Sequence, residues 1–176
     1  MSSWSRSYAD PVRLFVALRP PSDAVEHLQR LLPQWPGPPE RWHLTLAFLG
    51  EVADEGPVDA ALAVGLDGAP GPELVLAGSG SFGRTVWVGV DGDLDELHEL
   101  ARRTSAAVRG AGVPLERRRF RPHVTVGRAG RPDPARLSAY RGPAWTAGQV
   151  ELVRSDLGRT VTHTVLARYP LGPARR

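Results

Sequence analysis

Polar and apolar side chains alternate along two short segments, 43–48 and 123–126, and the pattern predicts strands with one wet face and one dry face. In an extended chain residues two apart share a side, so in His43-Leu44-Thr45-Leu46 and His123-Val124-Thr125-Val126 each histidine projects beside its own threonine. Leu44, Leu46 and Phe48, and Val124 and Val126, are expected to point the other way, into a core.

The same order of elements leads up to each segment. Residues 13–18 read as a short buried strand ended by Pro20-Pro21. Ser22 or Asp23 then caps a helix carrying Val25, Leu28, Leu31 and Leu32 at helical spacing, and Pro33 with Pro36-Gly37-Pro38-Pro39 stops it. In the second half, residues 85–90 form a strand and Asp91-Gly92 a turn. A helix over 94–109 places Leu94, Leu97, Leu100, Ala101 and Val108 on one face. Each half thus runs strand, helix, turn, His-x-Thr strand, which suggests a duplicated unit with a pseudo-twofold axis bringing the two motifs face to face. Around this frame, 58–64 reads as a helix, 73–77 as a strand entering a glycine-rich bend over 78–83, and 133–140 as a short helix. Residues 150–153 and 161–167 read as a closing antiparallel pair. The expected organisation is one two-lobed domain over 13–171 between disordered tails at 1–12 and 172–176.

Composition narrows the function classes. The chain has 176 residues, 41% of them hydrophobic, enough for one core or two small lobes sharing an interface. No apolar run approaches the roughly 20 residues that span a bilayer, and the start lacks the apolar segment of a secretory signal. There is no cysteine, which excludes disulfides and thiolate chemistry. The expectation is a cytoplasmic protein without a membrane contact, a monomer with no obligate protein partner. All 22 basic residues are arginine, and lysine, isoleucine and asparagine are absent, a bias that a GC-rich genome explains without any phosphate ligand. A net charge of +3 permits an anionic substrate but does not suggest a long nucleic-acid footprint.

With five histidines and eight threonines in 176 residues, chance supplies roughly 0.2 His-x-Thr triplets, so two in matching positions point to function. Histidine supplies an acid or a base near neutral pH, and a strand threonine supplies a hydroxyl donor for a phosphate oxygen. His27 and His98 fall on or near the polar side of helices, and His163 reads first as a packing or surface residue in a strand, with lining a pocket as the alternative. A zinc site is not expected: catalytic zinc takes three protein ligands, and neither motif carries a carboxylate or thiolate. No cofactor is expected either.

In Arg13-Leu14-Phe15-Val16-Ala17-Leu18, Trp42-His43-Leu44-Thr45-Leu46-Ala47-Phe48-Leu49-Gly50, Val86-Trp87-Val88-Gly89-Val90 and Phe120-Arg121-Pro122-His123-Val124-Thr125-Val126-Gly127-Arg128, the chain resembles the 2H phosphoesterase superfamily. Within it, the likeness is to the RNA 2′,3′-cyclic phosphodiesterases, the 2′-5′ RNA ligase-like proteins. The resemblance implies an α+β fold of two lobes, with antiparallel sheets around a central cleft and helices on the outside. It also implies attack of water on an RNA 2′,3′-cyclic phosphate end to leave a 2′-phosphate, with tRNA fragments, other oligonucleotides and small cyclic nucleotides all open as the substrate. His123 is assigned as base and His43 as acid, the near-symmetry leaving the reverse open, with Thr45 and Thr125 holding the phosphate. Ligation through a 2′-5′ bond, the same chemistry reversed, is one alternative; a silent nucleotide- or RNA-binding module is another. The segment 79–84 is shorter than in many relatives, and Gly83 stands where they often have proline.

Further substrate contacts are less specific. Arg128 sits where relatives often keep a basic residue, yet its odd separation from His123 turns it away unless the strand ends at Gly127. Were the strand to run straight through Pro122, Arg119 and Arg121, with Arg117, would share the His123 face and Phe120 would pack inward. Trp42 or Phe48 is a candidate to stack a base, Phe48 being assigned first to the core.

Overall fold

The computed structural model describes residues 12–32, 39–128, 134–157 and 159–174. Of the expected N-terminal tail 1–12, residues 1–11 lie outside them and Val12 instead opens the first strand; residues 33–38, 129–133, 158 and 175–176 also lie outside. Among the described residues, eight strands and three α-helices follow one another as β1 (Val12–Leu18), α1 (Ser22–Gln29), β2 (Leu44–Val52), α2 (Gly56–Leu66), β3 (Glu73–Phe82), β4 (Thr85–Gly92), α3 (Leu94–Gly110), β5 (His123–Gly127), β6 (Arg141–Thr146), β7 (Gln149–Leu157) and β8 (Val161–Pro170). The paired unit read from the sequence is present as β1-α1-β2 and β4-α3-β5. β1, β4, α3 and β5 keep their expected bounds to within two residues, whereas β2 runs on to Val52, Asp91-Gly92 continue β4 instead of turning, and α1 ends at Gln29, before Leu31. That leucine is exposed, and Leu32 is buried.

All eight strands belong to one antiparallel sheet in the order β6-β3-β4-β5-β2-β1-β7-β8. The two halves, β2-β1-β7-β8 and β5-β4-β3-β6, meet at β2 and β5, whose register pairs Leu44 with Val124. Each half therefore puts its own His-x-Thr strand at the seam. On the helix side, Val88, Val124, Leu44 and Leu18 line up across four strands, and none is more than 1% exposed. Leu28 of α1, Leu62 and Leu66 of α2, and Leu97 and Leu100 of α3 close over this face. Burying a Val or Leu side chain contributes roughly 1.5–3 kcal/mol, so this row holds the seam together although few backbone bonds cross it.

Three segments depart from expectation. Residues 78–82, expected as a bend, continue β3: a register shift between Ala77 and Ser79 absorbs Gly78, which takes φ +64, and the ladder with β4 resumes through Phe82. Glycine is needed at position 80 for a different reason. A Cβ there would lie 2.3 Å from the Trp87 ring, which crosses the strand at that point. The short helix expected over 133–140 is a single 3-10 turn, Pro134–Leu137. The edge strand β6 went unread because Gly142 and Pro143 interrupt its pattern. At the chain end Gly172 is tied into the fold by hydrogen bonds with Ala69 and Gly71.

Candidate functional site

On the face opposite the helices, the strand alternation produces a second set of rows. Counting one residue either way from the Leu44–Val124 pair sets His43 opposite Thr125 and Thr45 opposite His123. The two motifs thus form a rectangle in which each histidine faces the threonine of the other half. Trp87 flanks Thr125, Gly89 flanks His123, and Ala17 flanks Thr45. The small neighbours Gly89 and Ala17 leave the rectangle open.

Both imidazoles are held in the same way. His43 Nδ1 donates to the Arg41 carbonyl at 2.6 Å, and His123 Nδ1 donates to the Arg121 carbonyl at 2.7 Å, each bond reaching back two residues. A proton committed to Nδ1 assigns the tautomer and leaves Nε2 of each neutral ring as a lone pair for chemistry.

The surroundings of the two rings differ. His43 stacks on Phe15 with centroids 4.6 Å apart, and His163 meets both edge-on, at 5.0 Å from Phe15 and 5.3 Å from His43. Phe15, Ala17 and Val153 form a small apolar cluster on this face, beneath His43. His123 instead lies near Phe82 at 5.2 Å and Trp87 at 6.1 Å. Burial dominates the electrostatics of His43 and takes its pKa from 6.5 to about 4. The Arg41 hydrogen bond opposes that fall, and the positive charges of His163, Arg19 and His123 deepen it. His163 is also pushed down, first by burial and then by Arg19 and Arg41. In the unliganded protein His43 is therefore neutral at pH 7.

The two histidines and two threonines come together as expected; the secondary candidates divide. Trp42 is 4% exposed and belongs to the main core, so it cannot stack a base. Phe48, assigned first to the core, is 70% exposed. Register shifts between β1 and β2 turn it to the site face opposite Phe15, with ring centroids 6.4 Å apart. The strand does not run through Pro122: β5 starts at His123, and Arg117, Arg119 and Arg121 are exposed on irregular chain. Phe120 does pack inward, against the core and the edge of His98. The strand ends at Gly127, and Arg128 lies exposed in the bend that follows. His98 is exposed on α3, whereas His27 is half-buried against the Tyr140 hydroxyl at 3.2 Å. Phe15, Phe82, Trp87 and Arg19 were missed, and His163 takes the alternative place, lining the site, instead of the packing or surface role read first. Only the Phe15-x-Ala17 alternation beside the first motif hinted at any of them.

Among the described residues no group of three or more His, Cys, Asp or Glu gathers where it could hold a metal ion. Among the described residues, no helix is long and apolar enough to cross a membrane.

Two antiparallel half-sheets joined along paired His-x-Thr strands define the 2H class of phosphoesterase fold. Residues 17–159 match the family profile of the 2′-5′ RNA ligase superfamily, and the chain belongs to that superfamily. It is 33% identical over 146 residues to an RNA 2′,3′-cyclic phosphodiesterase of Geobacillus stearothermophilus, covering 75% of this chain and 46% of that protein. This chain thus spans about half the length of that relative. It is 33% identical over 127 residues to an RNA 2′,3′-cyclic phosphodiesterase of Escherichia coli, covering 67% of this chain and 72% of the relative. Among solved structures, E. coli LigT complexed with 3′-AMP superposes with a TM-score of 0.75 at 28% identity, over 92% of this chain and 99% of that one. The TT0787 protein of Thermus thermophilus gives 0.70 at 29% identity, over 93% and 100%.

Proposed function

We propose that the protein is an RNA 2′,3′-cyclic phosphodiesterase that opens the cyclic phosphate to a 2′-phosphomonoester without a metal. The observation that carries this reading is the cross-strand rectangle: two imidazoles with free Nε2 atoms on either side of a space bordered by two hydroxyls. His123 Nε2 takes a proton from water as the water oxygen bonds to phosphorus. The P–O3′ bond breaks, and His43 gives its proton to the departing 3′ oxygen. Thr45 and Thr125 donate to the non-bridging oxygens, where negative charge grows. Each well-placed proton transfer contributes typically ~10²–10⁴-fold. The names of the E. coli and Geobacillus relatives support the substrate class. The protein acts as a single two-lobed domain, a cytoplasmic monomer, on RNA ends such as those of tRNA fragments.

One observation favours the reverse assignment of acid and base: burial keeps His43 neutral in the unliganded protein. In the first assignment the substrate must bring back its proton, which a phosphodiester anion between the two rings does by favouring the charged form. Incubation with RNA ending in a 2′,3′-cyclic phosphate, followed by identification of the terminal isomer, tests the function. A 2′-phosphate with a free 3′-hydroxyl is expected; an unchanged end, or a 2′-5′ ligated product alone, overturns it. The assignment is tested with a cyclic substrate carrying sulfur in place of the bridging 3′ oxygen, a leaving group that needs no protonation. It should restore turnover to His43→Ala and not to His123→Ala, and the opposite pattern establishes the reverse.

A further inference from the structure

The two halves of the site differ in charge. Continuing the β1–β2 register one residue past the Leu18–Leu44 pair sets Arg19 alongside His43, on the site face. Its guanidinium is fixed there: Nε donates to the Glu151 carboxylate at 2.6 Å, and Nη1 donates to the Glu40 carbonyl. Glu151 is itself only 3% exposed. Arginine has five donors, so the remaining N–H groups are available to an anion. Arg41 is half-buried, and its carbonyl holds the His43 ring. His163 lies 5.3 Å from His43, and its Nδ1 is buried without a hydrogen-bond partner. An orphaned lone pair is tolerated better than an orphaned N–H, which assigns the proton to Nε2. Residue 41 is kept at this flank by its own carbonyl, which holds His43, and by the neighbouring Glu40 carbonyl, which holds Arg19; after burial, both guanidinium charges lower the pKa of His163.

We infer that Arg19, Arg41 and His163 form an anion subsite flanking His43, which holds the phosphodiester joining the terminal nucleotide to the rest of an RNA chain. This rests on the proposed function and on His43 as the acid. In-line attack sets the leaving 3′ oxygen against His43, and the ribose continues from C3′ through C4′ and C5′ to the 5′ oxygen. The next phosphate in the chain therefore lies on the His43 side. Beside His123, Phe82 and Trp87 occupy the corresponding flank. The enzyme is accordingly built for oligonucleotide ends over mononucleotides.

The test compares kcat/KM for adenosine 2′,3′-cyclic phosphate with that for the dinucleotide ApA ending in a 2′,3′-cyclic phosphate. One charge-assisted contact predicts a preference of about tenfold or more for the dinucleotide. A neutral methylphosphonate at the internal linkage should abolish that preference in the unaltered protein, a readout that needs no variant to fold. Arg41→Ala and His163→Phe should each bring the dinucleotide-to-mononucleotide ratio toward one. Equal kcat/KM for the two substrates, or a preference that survives the methylphosphonate, overturns the subsite while leaving the hydrolase intact. No hydrolysis of either substrate overturns the proposed function and this inference with it.

Discussion

Acid should weaken the folded protein through His43, and removing that side chain should remove this part of the pH dependence. Burial against Phe15 and His163 lowers the folded-state pKa to about 4, while the unfolded chain titrates at the ordinary 6.5. Between these values the unfolded state binds more protons, so stability rises with pH there. The contribution is fully present above 6.5 and is lost as the pH falls toward about 4. At pH 5 the unfolded imidazole is charged and the folded one neutral. The gap of about 1.5 pH units then corresponds to about 2 kcal/mol at roughly 1.4 kcal/mol per unit. Urea unfolding at about pH 7 and about pH 5, on the unaltered protein and on His43→Gln, isolates this share from that of the carboxylates. The unaltered chain should lose about 2 kcal/mol more than the variant over that interval. An equal loss in both refutes the claim that this ring is desolvated in the folded state. His163 is lowered in the same direction, chiefly by burial, so His163→Gln should flatten the same limb.

Phe15→Ala should cost about 3–5 kcal/mol in urea unfolding, as a buried ring is lost from the cluster with Ala17 and Val153. It should also raise the His43 pKa toward its ordinary value, as read by NMR titration of the imidazole. Gly80→Ala forces the Trp87 ring aside, since the added Cβ meets it at 2.3 Å. A change in tryptophan emission and a loss of kcat/KM are expected, at a stability cost of about 1–3 kcal/mol. Trp42→Ala should destabilise by about 3–5 kcal/mol and leave kcat/KM of the remaining folded protein little changed, because this ring is core. Activity should survive excess EDTA in a turnover assay on cyclic-phosphate RNA, and restoration by added zinc after a loss refutes the two-histidine chemistry.

Much of the frame was legible because local rules fix it. A period-two alternation sets His43 with Thr45, and His123 with Thr125, on one side of their strands whatever surrounds them. Likewise the helical spacing from Leu97 to Val108 specifies a buried stripe, and α3 follows it. The glycine-rich 78–82 stretch misled because glycine's local preference for bends was overridden by pairing of 79–82 with β4. Phe48 misled for a related reason. A strict alternation puts it with Leu44 and Leu46, but shifts in the β1–β2 register reverse its side, and register belongs to a pair of strands.

Local pattern therefore specifies the chemical inventory and its facing: two His-x-Thr strands, two strand–helix–strand halves, and no thiols. Which groups become neighbours depends on the assembled sheet. It set each histidine opposite the other half's threonine, and it brought Phe15, His163 and Arg19 around His43 from segments far from it in the chain. It also made His43 the desolvated member of the pair. Facing follows from backbone geometry over two or three residues, whereas burial and charge depend on every strand in the sheet, and no short window of sequence contains them.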